Sequence, residues 1–134
     1  MKAVVDSNIP MYVAGQPHAN QGPARRFLAR VYSGEIEAIT STEVLQKILY
    51  RYSAIGRREL ACSVHDLFAE ICSSVLDITL ADTDRARDLM AAEPSLSARD
   101  AIHAAVMLNH GISHIATFDR DFRRVPGLRI APLP

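Results

Sequence analysis

The sequence predicts an α/β protein, specifically a three-layer α/β/α sandwich built on a mostly parallel central sheet. Short apolar segments rich in β-branched residues alternate along the chain with longer segments of helical periodicity. Strands that are separated by helices require crossover connections, and these place neighbouring strands parallel. The chain has 134 residues, of which 49% are hydrophobic. This is enough for one compact core, so we expect residues 1–134 to form a single domain.

The first strand spans Met1–Val5 and ends at the polar run Asp6-Ser7-Asn8, which suits a loop or the start of a helix. Helical spacing begins near Pro23, and Gly34 supplies the stop. Ile36–Ile39 then alternates apolar and charged residues, which predicts a second strand.

A helix opens in the segment Thr40-Ser41-Thr42-Glu43 and is closed by Gly56. Apolar residues at helical spacing from Leu60 to Ile71 predict a further helix. Val75–Ile78 is typical of a third strand.

The remaining chain continues the alternation. Asp82–Ala92 predicts a helix, and Ser97 opens another that Gly111 ends. Ile112–Phe118 predicts the fourth strand, and Leu128–Ile130 a short last one.

Composition limits the classes of function. Formal net charge is zero, with 15 basic and 15 acidic residues, which by itself argues against a nucleic-acid partner. If five carboxylates gathered in one metal site, however, the rest of the surface would be basic. No segment resembles a signal peptide or a membrane span, so we expect a cytoplasmic protein without membrane association.

Acidic residues mark one end of the predicted sheet. Asp6 follows the first strand and Asp119 follows the fourth, whereas Glu43 and Asp100 fall in the first turns of two helices. In parallel sheets, ligands bind beyond the carboxyl ends of the strands. Mg²⁺ and Mn²⁺ prefer oxygen ligands, so such a cluster suits one or two ions.

Each acid also has a structural explanation. Asp6 can cap a helix, and Glu43 can complete a capping box with Thr40. Asp100 stands in the same relation to Ser97, and Asp119 and Asp121 are common turn residues. The pattern alone leaves both explanations open, although capping gives no reason for the acids to collect at one sheet end.

The contexts of these acids resemble the PIN-domain family, in the family's order and along nearly the whole chain. The segments that carry the resemblance are Val4-Val5-Asp6-Ser7-Asn8, Thr40-Ser41-Thr42-Glu43-Val44, Arg99-Asp100-Ala101-Ile102-His103-Ala104-Ala105 and Thr117-Phe118-Asp119-Arg120-Asp121-Phe122. The resemblance implies an endoribonuclease that uses Mg²⁺ or Mn²⁺ to hydrolyse RNA phosphodiester bonds. The compact size favours the VapC-like toxins of toxin–antitoxin pairs over PIN nucleases of RNA processing.

The resemblance also implies roles for single residues. The catalytic acids would be Asp6, Glu43, Asp100 and Asp119, and the metal ligands would come from Asp6, Asp100, Asp119 and Asp121. The fourth acid would be Asp119 in preference to Asp121. Asn8 and Thr117 would support the carboxylates. His103 is expected to be packed or partly exposed and not a metal ligand.

Partners follow from the same resemblance. The family implies a homodimer and a cognate antitoxin whose C-terminal segment offers an arginine to the acids. Basic pairs occur at Arg25-Arg26, Arg57-Arg58 and Arg123-Arg124. Arg123 and Arg124 follow the acids closely and are the candidates for binding RNA phosphates, with a solvated helix face as the alternative.

Two other classes of protein compete with this interpretation. A receiver domain or phosphatase also uses an aspartate at a strand end, but no second aspartate follows in the segment Asp6-Ser7-Asn8 and the last strands contain no lysine. A PIN-like interaction module without catalytic activity would not need the full set of acids.

Overall fold

The computed structural model describes residues 1–133 and contains one five-stranded sheet in which every pairing is parallel. The strands are β1 (Lys2–Val5), β2 (Glu37–Ser41), β3 (Ser74–Leu76), β4 (His114–Ala116) and β5 (Arg129–Ile130), in the order β3-β2-β1-β4-β5. The parallel sheet that the sequence predicts is confirmed. Since β1 lies between β2 and β4, residues that follow these three strands meet at one edge.

Six α-helices connect the strands. They are α1 (Asn8–Ala14), α2 (Gln21–Tyr32), α3 (Thr42–Ala54), α4 (Arg58–Ile71), α5 (Leu80–Ala92) and α6 (Ala98–Asn109), and a 3₁₀ turn covers Arg120–Arg124. Within the described chain, no helix combines the length and apolar character needed to cross a membrane.

Two apolar cores cover the two faces of the sheet and account for the three layers. Phe27, Ile48 and Phe68 of α2, α3 and α4 pack in the first core, and Met107 of α6 and Phe122 belong to the second. The side chains of β1 alternate between the two cores, with Ala3 and Val5 in the first and Val4 in the second. This burial on both faces explains why β1 is apolar from Ala3 to Val5.

Helix ends follow the predicted glycines, whereas one helix start differs. Gly56 and Gly111 follow α3 and α6 with φ of 75° and 67°, the left-handed region that favours glycine. The N-cap of α3 is Ser41, whose Oγ accepts from the backbone N of Val44 at 3.4 Å. Thr40 is instead buried and donates to the carbonyl of Val5. A Thr40–Glu43 capping box is therefore wrong, and Glu43 needs another explanation.

Three further differences concern short elements. α1 was expected only as a loop or helix start after Asp6, and it forms a helix of 7 residues with Pro10 in its first turn, where no backbone donor is lost. β4 is shorter than the predicted Ile112–Phe118, because Thr117 and Phe118 leave the sheet and bond to the loop after β1. β3 covers Ser74–Leu76 where Val75–Ile78 was expected.

Candidate metal centre

The candidate site lies at the carboxyl edge of the sheet and is built around Asp6. This residue directly follows β1, and its backbone N donates to the carbonyl of Ala116 at the end of β4. Its side chain is 3% exposed. Burying a charged carboxylate lowers the stability of the fold unless its oxygens are hydrogen-bonded, so the hydrogen-bond partners of Asp6 are important.

Three neighbours satisfy the Asp6 carboxylate. Oδ1 accepts from the backbone N of Ser7 at 2.7 Å, and Oδ2 accepts from Thr117 Oγ1 at 2.8 Å. Asn8 Nδ2 lies 3.4 Å from the same Oδ2 and donates to Thr117 Oγ1 at 3.0 Å. Asn8 and Thr117, the residues expected to support the acids, therefore fix the orientation of this carboxylate.

A group of three carboxylates lies beside it. Oxygen atoms of Asp100, Asp119 and Asp121 lie within 4.8 Å of one another, and all three residues are half-buried. Asp119 also caps the 3₁₀ turn, because its Oδ1 accepts from the backbone N of Asp121 at 2.9 Å. The sequence left open whether Asp119 or Asp121 completes the acid set, and the structure brings both to Asp100.

The electrostatics of Asp100 fit a cation-binding site. Burial, followed by the negative charges of Asp119 and Asp6, raises the pKa of the Asp100 carboxyl to about 6. Carboxylates that repel one another in this way are stabilised when a divalent cation binds between them. Hard oxygen donors at this spacing therefore fit Mg²⁺ or Mn²⁺. Asp6 lies outside the group of three but close enough for its charge to act on Asp100.

Glu43 is held by a residue that sequence reasoning missed. Arg99 Nε lies 3.2 Å from Glu43 Oε1, and their side chains are 38% and 20% exposed. The pair links the first turns of α3 and α6 at the rim of the acidic group. An arginine in a first turn opposes the helix dipole, and this was the one available indication that Arg99 serves something other than its helix.

His103 is a packed side chain, as expected. It is 3% exposed, its ring centroid lies 6.3 Å from that of Phe122, and its Nε2 has no hydrogen-bond partner among residues 1–133. Burial lowers its pKa against the opposing charges of Asp6 and Glu43, and Lys47 and Arg99 lower it further. The charges of the site therefore act on this buried imidazole.

The two arginines expected to bind RNA take different positions. Arg123 and Arg120 are exposed and line a groove of about 620 Å³ that reaches Thr117. Arg124 points toward the acids, with Nη1 donating to Ser95 Oγ at 2.7 Å and lying 3.8 Å from Asp121 Oδ1. Both flank the acidic group on the β4 side of the sheet.

Comparison with known proteins identifies the family. A PIN-domain family model matches residues 3–128 of the chain. Ribonuclease VapC13 of Mycobacterium tuberculosis is 43% identical over 126 residues, which cover 94% of this chain and 96% of that protein. The residues that the family model matches include Asp6, all six helices and the acidic group.

Solved structures share the fold at lower identity. The VapC20 toxin of Mycobacterium tuberculosis, described as cleaving the sarcin-ricin loop, superposes with a TM-score of 0.77 at 22% identity, covering 90% of this chain and 92% of that one. The VapBC2 complex of Rickettsia felis, bound to a DNA fragment from its promoter, gives a TM-score of 0.75 at 17% identity and 98% coverage of both chains.

Proposed function

Because the chain belongs to the PIN-domain family and is 43% identical to a VapC ribonuclease, we propose that it is a VapC-type endoribonuclease toxin that hydrolyses RNA with a divalent cation. The observation that carries the proposal is the group formed by Asp100, Asp119 and Asp121, whose oxygens lie within 4.8 Å of one another. The group stands beside the buried Asp6 at the edge where parallel sheets bind ligands.

Asp100, Asp119 and Asp121 would hold Mg²⁺ or Mn²⁺, and Asp6 would complete the negative field. When bound, the ion lowers the pKa of a water molecule and neutralises charge on the phosphate. Asp6 contributes as a fixed anion, because Ser7, Asn8 and Thr117 prevent its rotation. With water as the attacking group, the products carry 5′-phosphate and 3′-hydroxyl ends.

Glu43 is the candidate for accepting the proton of the attacking water. Its side chain is 20% exposed and pairs with Arg99, the residue before Asp100 in the chain. The contact with Arg99 Nε holds the Glu43 side chain in one orientation. A carboxylate within reach of the attacking water would be able to act as the general base.

Arg123 and Arg124 would bind RNA phosphates next to the acids. Arg123 supports this role through its exposed position in the groove beside Thr117. Arg124 lies beside Asp121 and so can also compensate the charge of the acidic group. A guanidinium forms paired hydrogen bonds to phosphate, which suits both positions.

The proposal includes a cognate antitoxin, a homodimer and a cytoplasmic location, where RNA is available. The structural neighbours described as VapBC assemblies support the antitoxin. A segment of the antitoxin that carries an arginine would pair with the acids and block the metal site.

Exposed apolar side chains on α3 and α5, including Tyr50 and Leu80, support the homodimer, because they offer surface of the kind that a dimer covers. Light scattering on the purified chain tests the dimer.

A fluorogenic single-stranded RNA assay tests the central proposal. We expect cleavage with Mg²⁺ or Mn²⁺, loss of cleavage in EDTA and recovery when the metal is restored. Mass spectrometry of the products should give 5′-phosphate ends. Cleavage that persists in excess EDTA, or 2′,3′-cyclic phosphate ends, would contradict the mechanism, and no cleavage under any metal would favour a silent interaction module.

A further inference from the structure

A second cleft lies next to the acidic group, between α1 and α3. It has a volume of about 260 Å³ and is lined by Ser7, Asn8, Met11, Tyr12, Lys47 and Arg51. Ser7 and Asn8 are also the residues that donate hydrogen bonds to the Asp6 carboxylate. The cleft therefore begins at the loop that holds the central acid.

The basic residues of this cleft lie on the same side of α3 as Glu43. Lys47 and Arg51 follow Glu43 by four and eight residues on α3, so all three side chains share one side of that helix. At a rise of about 1.5 Å per residue, the two cations stand roughly 6 and 12 Å further along the helix than the acid. The charge of Lys47 acts on the buried His103, which places Lys47 near the acidic group as well.

Neither cation has an anionic partner in the part of the chain that the structure describes. Arg30, Arg87 and Arg99 each pair with a carboxylate, whereas Lys47 and Arg51 form no ion pair or side-chain hydrogen bond with residues 1–133. Two such cations in a concave site suit an anionic ligand with more than one charge. The spacing along the helix suits successive phosphates of a nucleic-acid backbone.

We propose that Lys47 and Arg51 bind backbone phosphates of single-stranded RNA, so that the α1–α3 cleft is the subsite for nucleotides on one side of the cleaved bond. The inference rests on the proposed ribonuclease function and extends it. Arg120 and Arg123 lie on the β4 side of β1, whereas α3 follows β2 on the other side. The RNA would thus cross the acidic group from one basic cleft to the other.

The test compares two double variants that remove equal charge. The first is Lys47→Gln with Arg51→Gln, and the control is Arg57→Gln with Arg58→Gln, an exposed pair beyond the end of α3. Binding of a fluorescein-labelled mixed-sequence single-stranded RNA is measured by anisotropy at several salt concentrations. An Asp119→Asn background in every protein prevents turnover during the binding measurement. Circular dichroism melting confirms that each variant is folded.

We expect the Lys47 and Arg51 variant to bind RNA at least about tenfold more weakly than its parent at physiological salt. The slope of log affinity against log salt should fall by about 1.4, since each phosphate contact on a single strand contributes about 0.7. The control should keep both the affinity and the slope. A charge-conserving exchange, Lys47→Arg with Arg51→Lys, should restore most of the affinity.

Kinetics with Asp119 intact separate this inference from the proposed function. The Lys47 and Arg51 variant should raise KM with little change in kcat, because the lost contacts bind substrate away from the reacting bond. The wild-type chain could cleave RNA while this variant matches the control in KM, affinity and salt slope. That result would overturn the inference about the cleft and leave the ribonuclease proposal intact. If the wild type does not cleave, the nuclease proposal fails, and the anisotropy result still decides whether the cleft binds RNA.

Discussion

Asp100 lies in the first turn of α6, where two separate interactions meet. Its backbone N donates to Ser97 Oγ at 3.1 Å, so the helix cap uses the main chain of this residue. Its carboxylate lies beside those of Asp119 and Asp121 and is also hydrogen-bonded by Ser97. The contact between Ser97 and the main chain of Asp100 does not depend on the Asp100 side chain, so Asp100→Asn tests the acidic group more strongly than the helix cap.

We predict that Asp100→Asn leaves the stability of the metal-free protein unchanged or raised, because it removes one of several carboxylates that repel one another. RNA cleavage should fall by about 100-fold or more. Mn²⁺ should raise the melting temperature of the wild type, since it binds only the native state, and should do so less in the variant. A destabilised variant with near-normal cleavage and an unchanged Mn²⁺ response would assign Asp100 to the helix.

The raised pKa of Asp100 predicts how stability depends on pH. The native carboxyl has a pKa of about 6, whereas the ordinary pKa of an aspartate is 3.8. Between these pH values the native state retains a proton that the unfolded state releases, so stability decreases as pH rises through this window and is constant above it. Melting temperatures in EDTA from pH 4 to 8 should show this decrease in the wild type but not in Asp100→Asn. Parallel profiles of the two proteins would be inconsistent with the raised pKa.

At the scale of the element, α5 shows what a capping aspartate looks like. Thr79 and Asp82 form a complete capping box, in which Thr79 N donates to Asp82 Oδ2 at 2.9 Å and Asp82 N donates to Thr79 Oγ1 at 3.3 Å. Asn109 Nδ2 donates to the other carboxylate oxygen at 2.8 Å and thereby ties α5 to the end of α6. The hydrogen bonds of this buried acid are therefore satisfied within the fold.

We predict that Asp82→Ala lowers the free energy of unfolding by about 1–3 kcal/mol, because a cap and a buried hydrogen bond are lost together. RNA cleavage should be retained at temperatures where the variant is folded. Asp88→Ala provides the matched control, since Asp88 is exposed on the same helix, and should change stability by less than about 0.5 kcal/mol. Urea unfolding of both variants measures the difference, and equal effects would rule out the cap as the cause.

Sequence periodicity predicted the long elements well, because apolar residues at regular spacing must face a core. The short elements depend on contacts with distant residues and were less accurate. α1 has only 7 residues and too few turns for a periodic pattern. The Thr79–Asp82 box was missed because the helix was expected to begin at Asp82 itself.

The candidate site divides in the same way. Asp6, Glu43, Asp100 and Asp119 could be proposed from their places at strand ends and in first turns. Arg99 could not be paired with Glu43, since that contact joins two helices that are distant in sequence. The sequence analysis preferred Asp119 to Asp121, but it could not foresee that the 3₁₀ turn after β4 brings both carboxylates to Asp100.

At the scale of the whole molecule, the net charge of zero conceals an uneven distribution of charge around the site. Asp100, Asp119 and Asp121 lie together at one edge of the sheet, and basic residues line the clefts on either side of them. A bound divalent cation would offset the acidic charge and leave a surface that attracts RNA. Metal binding and RNA binding are thus expected to support one another.

We predict that expression of the chain alone slows bacterial growth and that Asp6→Asn relieves the effect. Asp6 is the carboxylate at the centre of the site, and Thr117 and Ser7 hold it in place. The substitution removes this negative charge. Immunoblots must show equal amounts of both proteins. Undiminished toxicity of a well-expressed Asp6→Asn protein would remove this residue from the active centre.

The contact between Asp6 and Thr117 joins residues that are 111 positions apart in the chain. During synthesis, β1 therefore leaves the ribosome well before its neighbour β4. The acidic group needs Asp119 and Asp121, which follow β4, so a nascent chain holds no assembled active centre until the segment after β4 has emerged. A ribonuclease with this strand order cannot attack the messenger or the ribosome that is producing it before that segment leaves the exit tunnel.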